Sequence, residues 1–445
     1  MRGLACLVAA LAFAWPAHGA LPPGYGGTLH LPGTSALRLP DPRDVRTPLE
    51  SSLVRAVFDT LYEVRGDQVV PSLAAAMPEV PTEGVATIRL RPGIRRHDRR
   101  PLRARDVVDA LRRADRDGAA PWFEGIARDD GRLAIEAEGE LAIRVTLADP
   151  TMSLAQRLAA TPTAIVLGRG HGTGPFRARL RGGVLHLAQF RAAARGAPYL
   201  RGISISPPRD RESELRAFDL DELTASWRGA GLYGRSGRSV ERHALPNKTP
   251  VLLVVHRSKR DRLRALADGI DRQRLARIGL VPARSIDASL PEPRLTGTQS
   301  GPIRVLVEQG DRFQAELADA LSARFDELGW RTRRIDVAQD RLAPTILGNG
   351  WDVRFVQVPP PTASTRDLLA ATWMAIGEPD EARRVIAGES LDGHASRLPV
   401  VVLGHRRQTL HHQASLLGVA HDDMGRLRFD SMFFPRDDTA REDAR

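Results

Sequence analysis

Three consecutive segments near the middle of the second half limit the fold most. Residues 303–307 read as a strand, 313–328 as a helix, and 332–337 as a second strand. A strand, a helix and a strand in that order make a β-α-β unit, and its right-handed crossover sets the two strands parallel in one sheet. The same alternation runs through the chain. Residues 27–31 and 87–90 read as strands, and residues 49–62 as a helix with Leu49, Leu53, Val54, Val57, Phe58 and Leu61 on one face. Residues 105–114 read as a helix burying Val107, Val108 and Leu111, and 132–147 as alternating strands across a turn. Residues 176–190 alternate around Gly182-Gly183, the signal of a tight hairpin. Residues 251–255 and 400–403 are unbroken apolar runs, expected of strands covered on both faces, and 262–278 read as a helix. The class is therefore mixed α/β.

The N-terminus reads as an export signal. Met1-Arg2 begins it, an apolar stretch from Leu4 to Trp15 follows, and Ala17-His18-Gly19 supplies small residues for cleavage after Gly19. The only cysteine, Cys6, falls inside this segment, so the mature chain is expected to lack disulfides and thiolate metal sites. Its placement near the start of the apolar stretch, and not after it at the cleavage point, also argues against a lipid anchor. The expected location is periplasmic or otherwise extracytoplasmic, and soluble after cleavage.

The formal net charge is +11, carried almost wholly by arginine, with lysine only at Lys248 and Lys259. Those arginines are spread along the chain and interleaved with acids, as in Arg209-Asp210-Arg211-Glu212, and aromatic residues make up 5%. Nucleic-acid binders gather charge on one face and add stacking platforms, so no nucleic-acid partner is expected.

Catalytic signatures are missing. Gly168-Arg169-Gly170-His171-Gly172-Thr173-Gly174 is glycine-rich, but Pro175-Phe176 leads into a strand and not into the helix N-terminus that a phosphate cradle needs. The late histidines His394, His405, His411, His412 and His421 show no chelating spacing, so no metal or cofactor is expected. No nucleophile elbow is present either, and the chain is read as a non-enzyme.

Residues 26–113 carry a more specific pattern: Gly26-Gly27-Thr28-Leu29, Val57-Phe58-Asp59-Thr60-Leu61-Tyr62, Val70-Pro71-Ser72-Leu73-Ala74, Leu90-Arg91-Pro92-Gly93-Ile94-Arg95, His97-Asp98 and Asp106-Val107-Val108. Gly172-Thr173-Gly174-Pro175-Phe176, Ala197-Pro198-Tyr199-Leu200-Arg201-Gly202-Ile203 and Arg264-Ala265-Leu266 with Ile270-Asp271-Arg272 follow in order. In this order and spacing the chain resembles the family 5 extracellular solute-binding proteins, the dipeptide, oligopeptide and nickel receptors of ABC importers.

The resemblance implies a two-lobed clamp with mixed sheets, flanking helices and a discontinuous first lobe. Residues 1–19 would be the signal, and 20–247 lobe one, with a subdomain at about 46–170. Residues 248–402 would be lobe two, shortened, and 403–445 the return to lobe one and the tail. It implies a monomer that holds a small molecule or peptide between its lobes and delivers it to ABC permease subunits. The alternatives are a degenerate binding protein used in signalling or envelope interactions, or an exported hydrolase. By position, Thr34, Tyr62, Thr173, Gly174, His256, Trp351 and Gln357 are the expected ligand contacts. The chain departs from the family after Trp351: no carboxylate stands between Val353 and Arg366, where peptide receptors hold an α-amino group. A buried ammonium without a counter-charge costs several kcal/mol, so a free peptide N-terminus fits this cleft poorly.

Overall fold

The computed structural model describes residues 23–79, 84–232, 239–262, 270–281 and 301–435. The expected signal segment, Cys6 and the Arg264-Ala265-Leu266 segment lie outside them.

Two bodies are built around separate sheets. In the second body, Ile303–Glu308, the helix Arg312–Glu327 and Thr332–Val337 form the expected β-α-β unit, its strands parallel with Ile303 opposite Thr332. Asp311 starts that helix by accepting from the Gln314 N–H. The six-stranded sheet runs in the order Leu280–Val281, Val400–Arg406, Pro250–Val255, Val353–Gln357, Ile303–Glu308, Thr332–Val337. Pro250–Val255 is buried throughout because helices cover both faces of the sheet. One face packs Val251, Leu253 and Val305 under Phe313, Leu317 and Leu321. The other packs Leu252, Val254 and Leu306 under Trp351, Leu369 and Trp373.

The first body holds the sheet Phe176–Arg181, Val184–Gln189, Gly202–Ser206, Thr28–Pro32, in which only the last pair is parallel. Gly182 and Gly183 both have positive φ, which the tight hairpin turn requires. A subdomain follows, with strands Val85–Arg89, Ala142–Thr146 and Ile135–Glu138 backed by the helix Ala104–Ala114. Its core starts at Leu61.

The helix expected over 49–62 is shorter. Pro48–Val57 is helical, capped by Thr47 and Glu50 bonding each other's backbone. Phe58 is extended and Tyr62–Arg65 is a strand. That helix packs with Leu29, Phe176 and Ile203 in the main core of the first body, not in the subdomain.

The chain crosses between bodies twice. Val240–Ala244 pairs with Thr409–Gln413 in the first body, while Pro250–Val255 pairs with Val400–Arg406 in the second. The crossings are therefore 245–249 and 407–408, so the second sheet extends past Val402 to Arg406. The two crossings touch through the Leu245 N–H to the Gln408 carbonyl (3.0 Å) and the Arg406 N–H to the Thr249 carbonyl (3.0 Å). Paired strands that share one bending line form a hinge.

Candidate functional site

Away from the hinge the bodies meet around a cavity of about 290 Å³. That is near the lower end for small-molecule sites. The first body contributes Arg43, Arg46, Trp122 and Thr161; the second contributes Glu308, Arg354, Gln357 and Met374. Contacts across the seam surround it. The Thr161 N–H donates to the Pro361 carbonyl (3.3 Å), and Arg157 Nη2 to the Ile386 carbonyl (2.6 Å). Ion pairs Arg157–Asp367 (3.6 Å), Arg228–Glu316 (2.9 Å) and Arg46–Glu308 (3.4 Å) also join the bodies.

The charges on the wall are unequally matched. Arg43 is paired with Asp41 (2.8 Å) and Asp117 (2.6 Å), and Arg46 with Asp44 (2.7 Å). Glu308 is buried, which raises its carboxyl pKa, and Arg46 offsets part of that rise. Arg354 differs. It is the second residue of the strand Val353–Gln357, opposite Leu306 and Val254, and is 9% exposed. Its Nη2 donates to the Ala375 carbonyl (2.6 Å), while its Nε is buried without a hydrogen-bond partner. The Trp351 ring lies 5.7 Å from the guanidinium carbon. Burial, with the charge of Arg46 adding to it, lowers its pKa to about 10.

The seven expected contacts are scattered. Gln357 lines the cavity, with its Oε1 accepting from Arg406 Nη1 (2.7 Å). Thr34 lines a separate groove with Arg277, Trp227 and Arg406. Tyr62 is fully buried in the subdomain core, because the chain leaves the helix before reaching it. Thr173 is 0% exposed and gives its hydroxyl proton to Asp59 (2.6 Å). Gly174 packs against the helix end so closely that a Cβ would stand 2.7 Å from the Val57 carbonyl carbon. His256 and Trp351 meet edge to face at 4.8 Å in the second body, His256 bonding the Ser258 hydroxyl (2.8 Å) and Trp351 the Ile346 carbonyl (3.1 Å). Of the seven, Gln357 therefore lines the cavity, Thr34 lines a second groove with walls from both bodies, and the other five are internal to one body. Arg43, Arg46, Glu308 and Arg354, which line the cavity, were not among the seven. Arg354 had a visible signal: a charge inside the otherwise apolar strand Val353-Arg354-Phe355-Val356.

Among the described residues no helix is long and apolar enough to cross a membrane, and no group of three or more His, Cys, Asp or Glu could hold a metal ion.

Two bodies, a double crossing and a shared cavity define the fold of a two-lobed binding protein. Solved structures agree over nearly the whole chain. NikA from Staphylococcus aureus in complex with Ni(L-His)2 is 14% identical, with 92% of this chain and 100% of that one covered at a TM-score of 0.70. DppA from Helicobacter pylori in complex with peptide STSA is also 14% identical, covering 93% and 99% at 0.72. The murein tripeptide binding protein MppA of Escherichia coli is 14% identical, covering 94% and 99% at 0.69. No curated protein matches. Residues 68–211 match the model of bacterial extracellular solute-binding proteins, family 5 Middle. The chain carries the family 5 sequence pattern across that stretch and shares the fold of these binding proteins beyond it.

Proposed function

We propose that this chain is an extracytoplasmic solute receptor that closes its two lobes on a small ligand and presents the closed form to an ABC import permease. The observation that carries this is the cavity whose walls come from both lobes, together with a separate hinge of two hydrogen-bonded crossings. A ligand touching both walls gains its full contacts only in the closed state, so binding shifts the population toward closure. No bond needs to be made or broken. The chain is read as exported, with residues 1–19 removed, and as a monomer. Lobe one is taken as 20–247 with the return segment, and lobe two as 248–402 continued to Arg406.

The relatives hold unlike guests: a nickel–histidine complex, a tetrapeptide and a murein tripeptide. The fold thus leaves the ligand to the local chemistry, and here Gln357, Arg43, Arg46, Glu308 and Arg354 are proposed as the contacts. Small-angle scattering of the mature chain against a library of peptides, amino acids and metal chelates is the test. Compounds that bind by calorimetry should reduce the radius of gyration. Binding without compaction would overturn the clamp.

A further inference from the structure

We propose that Arg354 is the ligand anchor of the cavity, and that the solute bears an oxyanion, a carboxylate or a phosphate, on the end that meets lobe two. This deepens the receptor reading and rests on it for the cavity being the ligand site.

The position is one where an apolar side chain would cost nothing. Leu306 and Val254 flank Arg354 on the neighbouring strands, and Trp351 lies beside it. A leucine or methionine would continue that surface. A guanidinium is instead held at 9% exposure, and among the described residues no carboxylate comes within ion-pair distance of it. Taking a charge out of water without a partner is strongly unfavourable, so a compensating anion is expected.

The helix Thr365–Ile376 supplies only part of the compensation. Its C-terminal carbonyls carry about half a negative charge, and the Ala375 carbonyl takes one of the five guanidinium protons. Nε stays buried without a partner, and Nη1 makes no hydrogen bond among the described residues. A planar fork with free N–H groups beside a cavity suits an oxyanion that accepts two parallel hydrogen bonds. The other charges on the wall do not compete. Arg43 and Arg46 are held by Asp41, Asp117 and Asp44, and Glu308 faces Arg46 at 3.4 Å from both of its oxygens. The missing carboxylate after Val353 and the spare cation at Arg354 thus select in one direction, against an ammonium and for an anion.

The test uses the mature chain and matched probes that differ only in charge: succinate against succinamide, N-acetyl-dialanine against its amide, and glycerol phosphate against glycerol. Calorimetry should show at least one acid binding about thirtyfold or more tighter than its neutral partner, the scale of losing a buried charge contact. Which acid wins separates a carboxylate from a phosphate ligand. Arg354→Met should abolish the preference, and Arg354→Lys should keep part of it. Equal binding of acids and neutral partners, no binding of any acid, or a preference unchanged in Arg354→Met overturns the proposal. If Arg354→Met does not fold, the wild-type comparison and Arg354→Lys decide. Scattering on the same samples keeps the two readings apart. Compaction with no acid preference removes the anchor and leaves the receptor, whereas acid preference without compaction does the reverse.

Discussion

Arg195 in lobe one and Arg354 in lobe two are both withdrawn from water, and these two are treated in opposite ways. In lobe one Arg195 puts its Nε 2.7 Å from an Asp59 oxygen, and its Nη2 bonds the Arg55 carbonyl. The second Asp59 oxygen takes the Thr173 hydroxyl proton. Burial alone would lower the Arg195 pKa, but Asp59, with the charges of Asp430 and Glu63, more than offsets this and the net direction is upward. In lobe two Arg354 has a helix-end carbonyl and a tryptophan beside it, and its pKa falls to about 10. The first charge is used up inside the fold, where it ties the Gly172–Gly174 loop to the segment following the first helix. The second is left over at the cavity wall. A buried charge that the protein balances only in part is the feature a ligand can exploit.

Removing Asp59 makes lobe one resemble lobe two and tests the comparison most severely. Asp59→Ala leaves buried Arg195 without its ion-pair partner, with only the weaker charges of Asp430 and Glu63, and Thr173 without its acceptor. The expected loss is about 3–5 kcal/mol of unfolding free energy, read by urea denaturation followed by circular dichroism. A cost below about 1 kcal/mol would mean that water already reaches Arg195, and the contrast between the lobes would disappear.

The same contrast explains what could be read from the sequence. The apolar run at 251–255 and the segment 303–307, apolar except for Arg304, became strands of one sheet because a strand covered on both faces leaves little room for polar residues. The Gly172-Thr173-Gly174 pattern was equally visible, but its reason was misplaced. These residues serve close packing and an internal ion pair, and spacing along the chain does not reveal which partner lies across the fold. Trp351 was hidden in the same way, since a large ring suits a core as well as a cleft. Arg354 was overlooked because it is one of 65 lysines and arginines, most of them solvated, so residue type alone carried no contrast. Its setting within an apolar strand did.

A smaller effect, again in lobe one, comes from His97. Its Nε2–H donates to the Gly174 carbonyl (2.8 Å), and the Gly172 N–H donates to its Nδ1 (3.0 Å). A carbonyl can only accept and an amide N–H can only donate, so this pairing demands the neutral ring. Burial lowers its pKa from 6.5 to about 4, against the backbone bond to Gly174. Because the folded value lies below the unfolded one, the contribution is complete above pH 6.5 and is lost as the pH falls toward 4. It amounts to about 3 kcal/mol. Carboxylates titrate in the same window, so the measurement is the difference in urea stability between wild type and His97→Gln from pH 7 to 4. The wild-type curve should fall more steeply. Parallel curves would show that the loop does not depend on this ring.

Arg46 gives the smallest effect and probes the boundary between the two kinds of charge. It is 35% exposed, bonds Asp44 at 2.7 Å, and reaches Glu308 across the seam only at 3.4 Å. Solvent and Asp44 already satisfy it, so Arg46→Ala should cost about 0.5–1 kcal/mol in urea unfolding, the scale of a solvated ion pair. The variant also removes the one cation whose charge helps depress the Arg354 pKa, so the guanidinium becomes easier to keep charged. The Arg354-dependent preference for acidic probes should therefore survive in it. A loss above about 2 kcal/mol, on the way to the buried-pair range, would place Arg46–Glu308 with Asp59–Arg195 as an internal structural pair. The cavity wall would then have only Arg354 to offer a ligand from among its charged groups.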